Sequence, residues 1–168
     1  MIWASHRIVT GISVFTLSSS MIGALAAVSG STFPDSLDMT FPLKHRGVSH
    51  WFAVYVVPLI LDFYFIMDRY FFLHFSDYMN LFQVFPFELA CKYLLGNLFF
   101  WFMIGCLCHI IEDSLTGYIP IRSPHDKVSL WHPFYTGSPT ENVFVLVFSL
   151  FCLALVFFRY WLTGYFQF

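Results

Sequence analysis

The sequence predicts an all-α, polytopic integral membrane protein, a single helical domain over residues 1–168 with about four transmembrane segments. Hydrophobic residues make up 58% of the chain and charged residues only 11%, whereas soluble domains carry about 25% charged residues. The few polar residues fall between long apolar stretches, and a spanning helix needs roughly 20 such residues. The composition excludes intrinsic disorder, and a net charge of −2 without a basic run argues against nucleic-acid binding.

The first apolar segment covers about residues 8–28 and contains no charged residue. It is rich in serine, threonine and glycine, which suit close helix packing in a bilayer. The serine run at Ser18–Ser20 leaves two alternatives open, a single span or a helical hairpin bent at these residues. A secretory signal peptide is a third alternative, which the near absence of basic residues before the segment disfavours.

Three further segments are expected at about residues 51–72, 89–111 and 143–166. The second contains Asp62, and a charge at such depth costs roughly 2.5–3.5 kcal/mol on insertion scales. Residues 112–141 form the longest polar stretch, whose prolines and glycines predict a loop. Basic residues divide equally between the two predicted faces, so charge does not determine the orientation.

Histidines and carboxylates are concentrated in the first and third predicted loops. His109 and Asp113 are four residues apart, which places both on one helical face. His45 and His50 precede the second segment, and Gly47 between them allows the backbone to turn. Four spans would bring these loops to one membrane face, where imidazole and carboxylate ligands suit zinc, manganese or iron. The alternative is a set of interfacial side chains at the helix ends.

Three other residues are candidates for the site, and each has its own condition or alternative. Arg46 has no lone pair for a metal but suits an anionic, phosphoryl-containing substrate. Asp35 follows a proline at the bilayer edge and is a ligand or an ordinary helix cap. His6 reaches the other ligands only if the first segment is a hairpin. His125 and His132 are expected to be solvated loop histidines.

The order of these motifs resembles the YdjM-like family of bacterial inner-membrane, metal-dependent hydrolases. The motifs are His6, Pro34–Asp35, the run from His45 to His50, and His109-x-x-x-Asp113. This sequence has Leu37 where the family has a second aspartate, with Asp38 one position later, and Ser49 in place of threonine. The resemblance implies that the metal ligands are His6, Asp35, His45, His50, His109 and Asp113.

We therefore expect metal-assisted hydrolysis in the bacterial inner membrane, with a lipid or lipid-linked phosphoester as substrate. A divalent ion, zinc or manganese, would lower the pKa of bound water toward about 7. Asp113 would be a ligand, an orienting group or the base, and Arg46 would hold the anionic group. Two alternatives remain, a non-enzymatic scaffold or adaptor with a structural metal or His–Asp network, and a small transporter that uses Asp62.

Overall fold

The computed structural model describes residues 1–41, 46–65, 80, 82–83, 85–129 and 133–162. The described residues are mostly helical, which confirms the all-α part of the prediction. The helices are α1 (Trp3–Ser18), α2 (Met21–Gly30), α3 (Phe33–Thr40), a 3₁₀ turn (Val48–His50), α4 (Ala53–Phe65), α5 (Phe87–Ser114) and α6 (Pro139–Leu162). Two short strands, β1 (Ile119–Pro120) and β2 (Lys127–Val128), pair in an antiparallel hairpin.

The first apolar segment is a helical hairpin, so the alternative of a single span is wrong. Ser19 ends α1 in the left-handed region with φ 55°. The Ser20 hydroxyl then accepts a hydrogen bond from the Gly23 amide at 3.0 Å and caps α2. The two helices pack against each other, with Val28 beside Gly11. Both ends of the hairpin therefore lie on the same side of the bundle.

Helix α5 is the centre of the bundle and packs against α1, α2 and α4. Two glycines allow α2 to approach it at backbone distance. A Cβ added at Gly30 would lie 2.0 Å from the Phe102 carbonyl oxygen, and one at Gly105 would lie 2.0 Å from the Ala27 carbonyl oxygen. Small residues permit such contacts between helices. This contact fixes the end of α2 against the last turns of α5.

Helices α5 and α6 are long and apolar enough to cross a membrane. Helix α5 has 28 residues, which corresponds to about 42 Å at 1.5 Å per residue. Helix α4 is shorter, with 13 residues, and the end of the predicted second segment lies outside the described residues. Four spans are therefore not shown, whereas two candidate spans are.

The long polar stretch is less irregular than predicted. Helix α5 continues to Ser114, and α6 begins at Pro139, a residue that suits the first turn of a helix. The β1–β2 hairpin was not predicted. The Trp51 indole N–H donates to the Ile121 carbonyl at 3.1 Å and attaches this hairpin beside the 3₁₀ turn.

Candidate metal centre

Four predicted side chains converge where the 3₁₀ turn, α3 and the last turns of α5 meet. These are Asp35, His50, His109 and Asp113, whose ligand atoms all lie within 4.8 Å of one another. Both histidines are fully buried, and Asp113 is 2% exposed. Burial of this many ionisable groups is costly unless each has a compensating partner. The four side chains therefore form a largely buried His/Asp group that could hold a metal ion.

Two nitrogen and two oxygen atoms face the centre. The Nε2 atoms of His50 and His109 are 3.2 Å apart. Asp35 Oδ1 lies 3.3 Å from His50 Nε2 and 3.5 Å from His109 Nε2. Asp113 Oδ2 lies 3.5 Å and 3.8 Å from the same two nitrogens.

Partners behind each imidazole indicate which nitrogen carries the proton. His109 Nδ1 lies 2.7 Å from the Ser31 carbonyl oxygen, which only accepts, so Nδ1–H is the donor. The Ser49 hydroxyl donates to Asp38. His50 Nδ1, at 3.0 Å from that hydroxyl and 3.5 Å from Asp38 Oδ2, is then the donor on its own ring. In the neutral rings both Nε2 lone pairs therefore face the centre, as in metal-bound histidines.

Four acceptor atoms at these distances require positive charge between them. Part of this charge comes from Arg46 Nε and the N-terminal amine of Met1, each 3.0 Å from an oxygen of Asp113. Burial raises the pKa of Asp35, but the nearby imidazoles of His109 and His50 outweigh it and hold the pKa well below its usual range. A divalent cation meets the same need, and a set of two nitrogens and two oxygens fits its coordination chemistry.

Local sequence explains how Asp35 reaches the centre. Pro34 occupies the start of α3, and Asp35 lies in the first helical turn, a position that favours both residue types. The Trp3 indole N–H donates to Asp35 Oδ2 at 2.9 Å. Because Oδ2 is engaged by α1, Oδ1 is the oxygen that faces the two histidines.

Arg46 lies at the edge of the centre in a strained conformation. Its φ is 54°, in the left-handed region that non-glycine residues rarely adopt. Arg46 Nε lies 3.0 Å from Asp113 Oδ2, an ion pair by distance, although the angle is not that of a hydrogen bond. The guanidinium lies against Gly117, where an added Cβ would be 1.6 Å from Nη1. The Arg46 side chain is 18% exposed, so it extends from the buried group to the protein surface.

His6 reaches the centre from the hairpin but occupies the other side of Asp113. Its Nε2 lies 3.3 Å from Asp113 Oδ1, and its ring packs on His109 with centroids 4.1 Å apart. Its Nδ1 lies 2.5 Å from Glu112 Oε2, and the Thr10 hydroxyl donates to Glu112 Oε1 at 2.9 Å. His6 therefore adjoins the four-residue group without belonging to it.

The remaining predicted residues divide into three sets. Asp38 is an orienting partner of His50 and does not face the centre. His125 is exposed on the β-hairpin. His45, predicted as a ligand, lies outside the described residues, as does His132.

Contributors to the site that were not predicted include the Trp3 indole, the Thr10 hydroxyl and the Ser31 carbonyl. A signal existed for Thr10, since it follows His6 by four residues and so shares its helical face. The other two contacts depend on tertiary structure.

Comparison of the chain with protein-family models, curated proteins and solved structures finds no match.

Proposed function

We propose that this chain is a membrane-bound, metal-dependent hydrolase of the bacterial inner membrane that acts on a lipid or lipid-linked phosphoester. The observation that carries the proposal is the convergence of two imidazole nitrogens and two carboxylate oxygens within 4.8 Å. The ion would be zinc or manganese, because imidazole and carboxylate ligands suit these metals. The motif order, which resembles the YdjM-like family, is in keeping with this proposal.

The residues of the centre would have different roles in metal binding, proton transfer and substrate binding. His50, His109, Asp35 and Asp113 would hold the ion, which when bound supplies a water of lowered pKa and polarises a phosphoryl oxygen. The alternative role for Asp113 is that of general base, in which Oδ2 would accept a proton in place of coordinating the ion. Arg46 would bind the anionic phosphoryl group, because a guanidinium fits paired oxygens.

The position of the centre supports the proposed substrate class. His109 and Asp113 are in the last turns of α5, a helix long enough to cross a bilayer. The end of such a helix lies at the depth of lipid head groups. Arg46 is partly exposed there. It can therefore reach a head-group phosphate more readily than a soluble substrate could enter the interior of the bundle.

The test measures metal content and phosphate release on the same detergent-purified preparations. Phosphatidic acid in mixed micelles serves as the phosphoester probe, with zinc or manganese supplied. We expect the wild type to retain metal and release phosphate, and His50→Ala and His109→Ala to lose both. His125→Ala, which changes an exposed histidine outside the centre, is the matched control and should retain both.

Two outcomes would contradict the proposal. A wild-type chain that binds no divalent ion would remove the metal centre. A chain that binds metal through His109 but releases phosphate from no lipid phosphoester would instead favour a non-enzymatic scaffold in which the ion joins the helices.

A further inference from the structure

A large apolar pocket lies between α2, α4 and α5, apart from the metal centre. Its volume is about 1000 Å³, and its lining includes Ala26, Ser29, Pro58, Asp62, Phe99 and Phe102. This volume is at the upper end of the range for small-molecule sites. We propose that the pocket binds a bulky lipophilic cation, with Asp62 as the counter-ion.

Asp62 is the feature that distinguishes this pocket from an ordinary lipid-filled groove. The residue is 4% exposed, and neither carboxylate oxygen has a hydrogen-bond partner among the described residues. Buried carboxylates are normally paired, because an unpaired one is energetically costly. A buried carboxylate that lines a cavity, and that has no hydrogen-bond partner among the described residues, is suited to pair with a charged ligand.

The rest of the lining selects the chemistry of that ligand. Asp62 is the only carboxylate among the described residues that line the pocket. A small hydrated cation would need more oxygen ligands than this lining offers. Phe99 and Phe102 line the pocket, and aromatic side chains offer both apolar surface and ring faces that attract cations. A cation with dispersed charge on a large apolar body fits all of these features.

Lys92 restricts the position of the charge. It lies on the same pocket and does not hydrogen-bond to Asp62 in the described part of the chain. Because Lys92 repels a second cation, the ligand's positive centre belongs nearer to Asp62 than to Lys92. The lysine also disfavours ligands with two positive charges.

The pocket and the metal centre share no residue. On α5, Phe102 lies about 10 Å before His109 along the helix axis. A substitution at Asp62 therefore tests the pocket without removing any side chain of the proposed hydrolase. The two proposals can fail independently.

The experiment uses tetraphenylphosphonium as the probe and equilibrium binding to the full detergent-purified chain as the readout. We expect saturable binding at one site, at least tenfold weaker in Asp62→Asn. Asp62→Glu should bind like the wild type, because it keeps the charge. Asp126→Asn, which removes an exposed carboxylate on the β-hairpin, is the matched control and should bind unchanged.

A neutral probe of similar shape, triphenylphosphine oxide, separates charge recognition from simple apolar filling. Binding of both probes that is indifferent to Asp62→Asn would overturn the proposal, as would no saturable binding of the cation. If Asp62→Asn does not fold, Ala26→Leu provides a second variant, since the larger side chain occupies the pocket. Retention of full cation binding in folded Ala26→Leu would also contradict the proposal.

Discussion

His50 and His109 bring their Nε2 atoms to 3.2 Å of each other, although one lies in the 3₁₀ turn before α4 and the other near the end of α5. Each ring is held from behind through Nδ1, by Ser49 and Asp38 in one case and by the Ser31 carbonyl in the other. Both rings therefore keep their orientation without an ion, because their outer hydrogen bonds belong to the fold. These outer partners can be tested separately from the ligands.

Asp38→Asn should weaken metal binding without abolishing it. Asp38 accepts the Ser49 hydroxyl and faces His50 Nδ1, and an amide cannot accept at both positions. Loss of such an orienting partner typically costs roughly 10- to 100-fold in metal affinity. Competition with a chelator measures this, with Asp126→Asn as the exposed control. Complete loss of metal, equal to that of His109→Ala, would show that Asp38 is a ligand itself.

Gly117→Ala should impair substrate binding while metal content stays at the wild-type level. An added Cβ would lie 1.6 Å from Arg46 Nη1, so the guanidinium must leave its position beside Asp113. We expect KM for a lipid phosphoester to rise more than kcat falls, because the anion-binding group is displaced. Tyr118→Ala, at the exposed neighbouring residue, is the control. An unchanged KM in Gly117→Ala would show that Arg46 does not bind substrate.

Thr10→Val should destabilise the chain more than Thr16→Val, although both remove one hydroxyl from α1. The Thr10 hydroxyl donates to the buried Glu112 carboxylate at 2.9 Å, and hydrogen bonds to charged groups contribute about 1.5–3 kcal/mol. The Thr16 hydroxyl bonds the Ile12 carbonyl of its own helix at 2.6 Å. Thermal unfolding in detergent compares the two variants. Equal unfolding temperatures would mean that the Thr10–Glu112 bond adds nothing to stability.

Gly30→Ala should lower both stability and metal affinity. The new Cβ would meet the Phe102 carbonyl oxygen at 2.0 Å, so α2 must move away from α5. That movement displaces Ser31, whose carbonyl holds His109 Nδ1. Gly11→Ala is the control, because its Cβ meets only the end of the Val28 side chain, at 2.7 Å. If Gly30→Ala binds metal as tightly as Gly11→Ala, the helix contact does not position the histidine.

The parts of the site that were predictable depend on local spacing. His109 and Asp113 are four residues apart on a long apolar helix, and the helix repeat alone brings them to one face. The serine run similarly indicated where the first segment bends, because serines compete for backbone hydrogen bonds and favour helix caps.

The unpredicted parts depend on contacts between distant residues. Trp3 reaches Asp35 only because the α1–α2 hairpin brings the start of α1 close to the start of α3, and no spacing rule contains that information. The strained backbone of Arg46 is likewise maintained by its surroundings, since the residue type gives no sign of a left-handed conformation. The β-hairpin has strands of two residues each, too short for an alternating pattern to be recognised.

Asp113 has a further consequence for how the protein assembles. Its two oxygens address different parts of the chain, Oδ1 toward His6 of the N-terminal hairpin and Oδ2 toward His50, His109 and Arg46. Docking of the hairpin and assembly of the centre therefore depend on the same carboxylate. By thermodynamic linkage, any ion that binds more tightly to the docked state must strengthen docking by the same free energy. Ion binding at the centre would then stabilise the assembled bundle in addition to supporting the reaction.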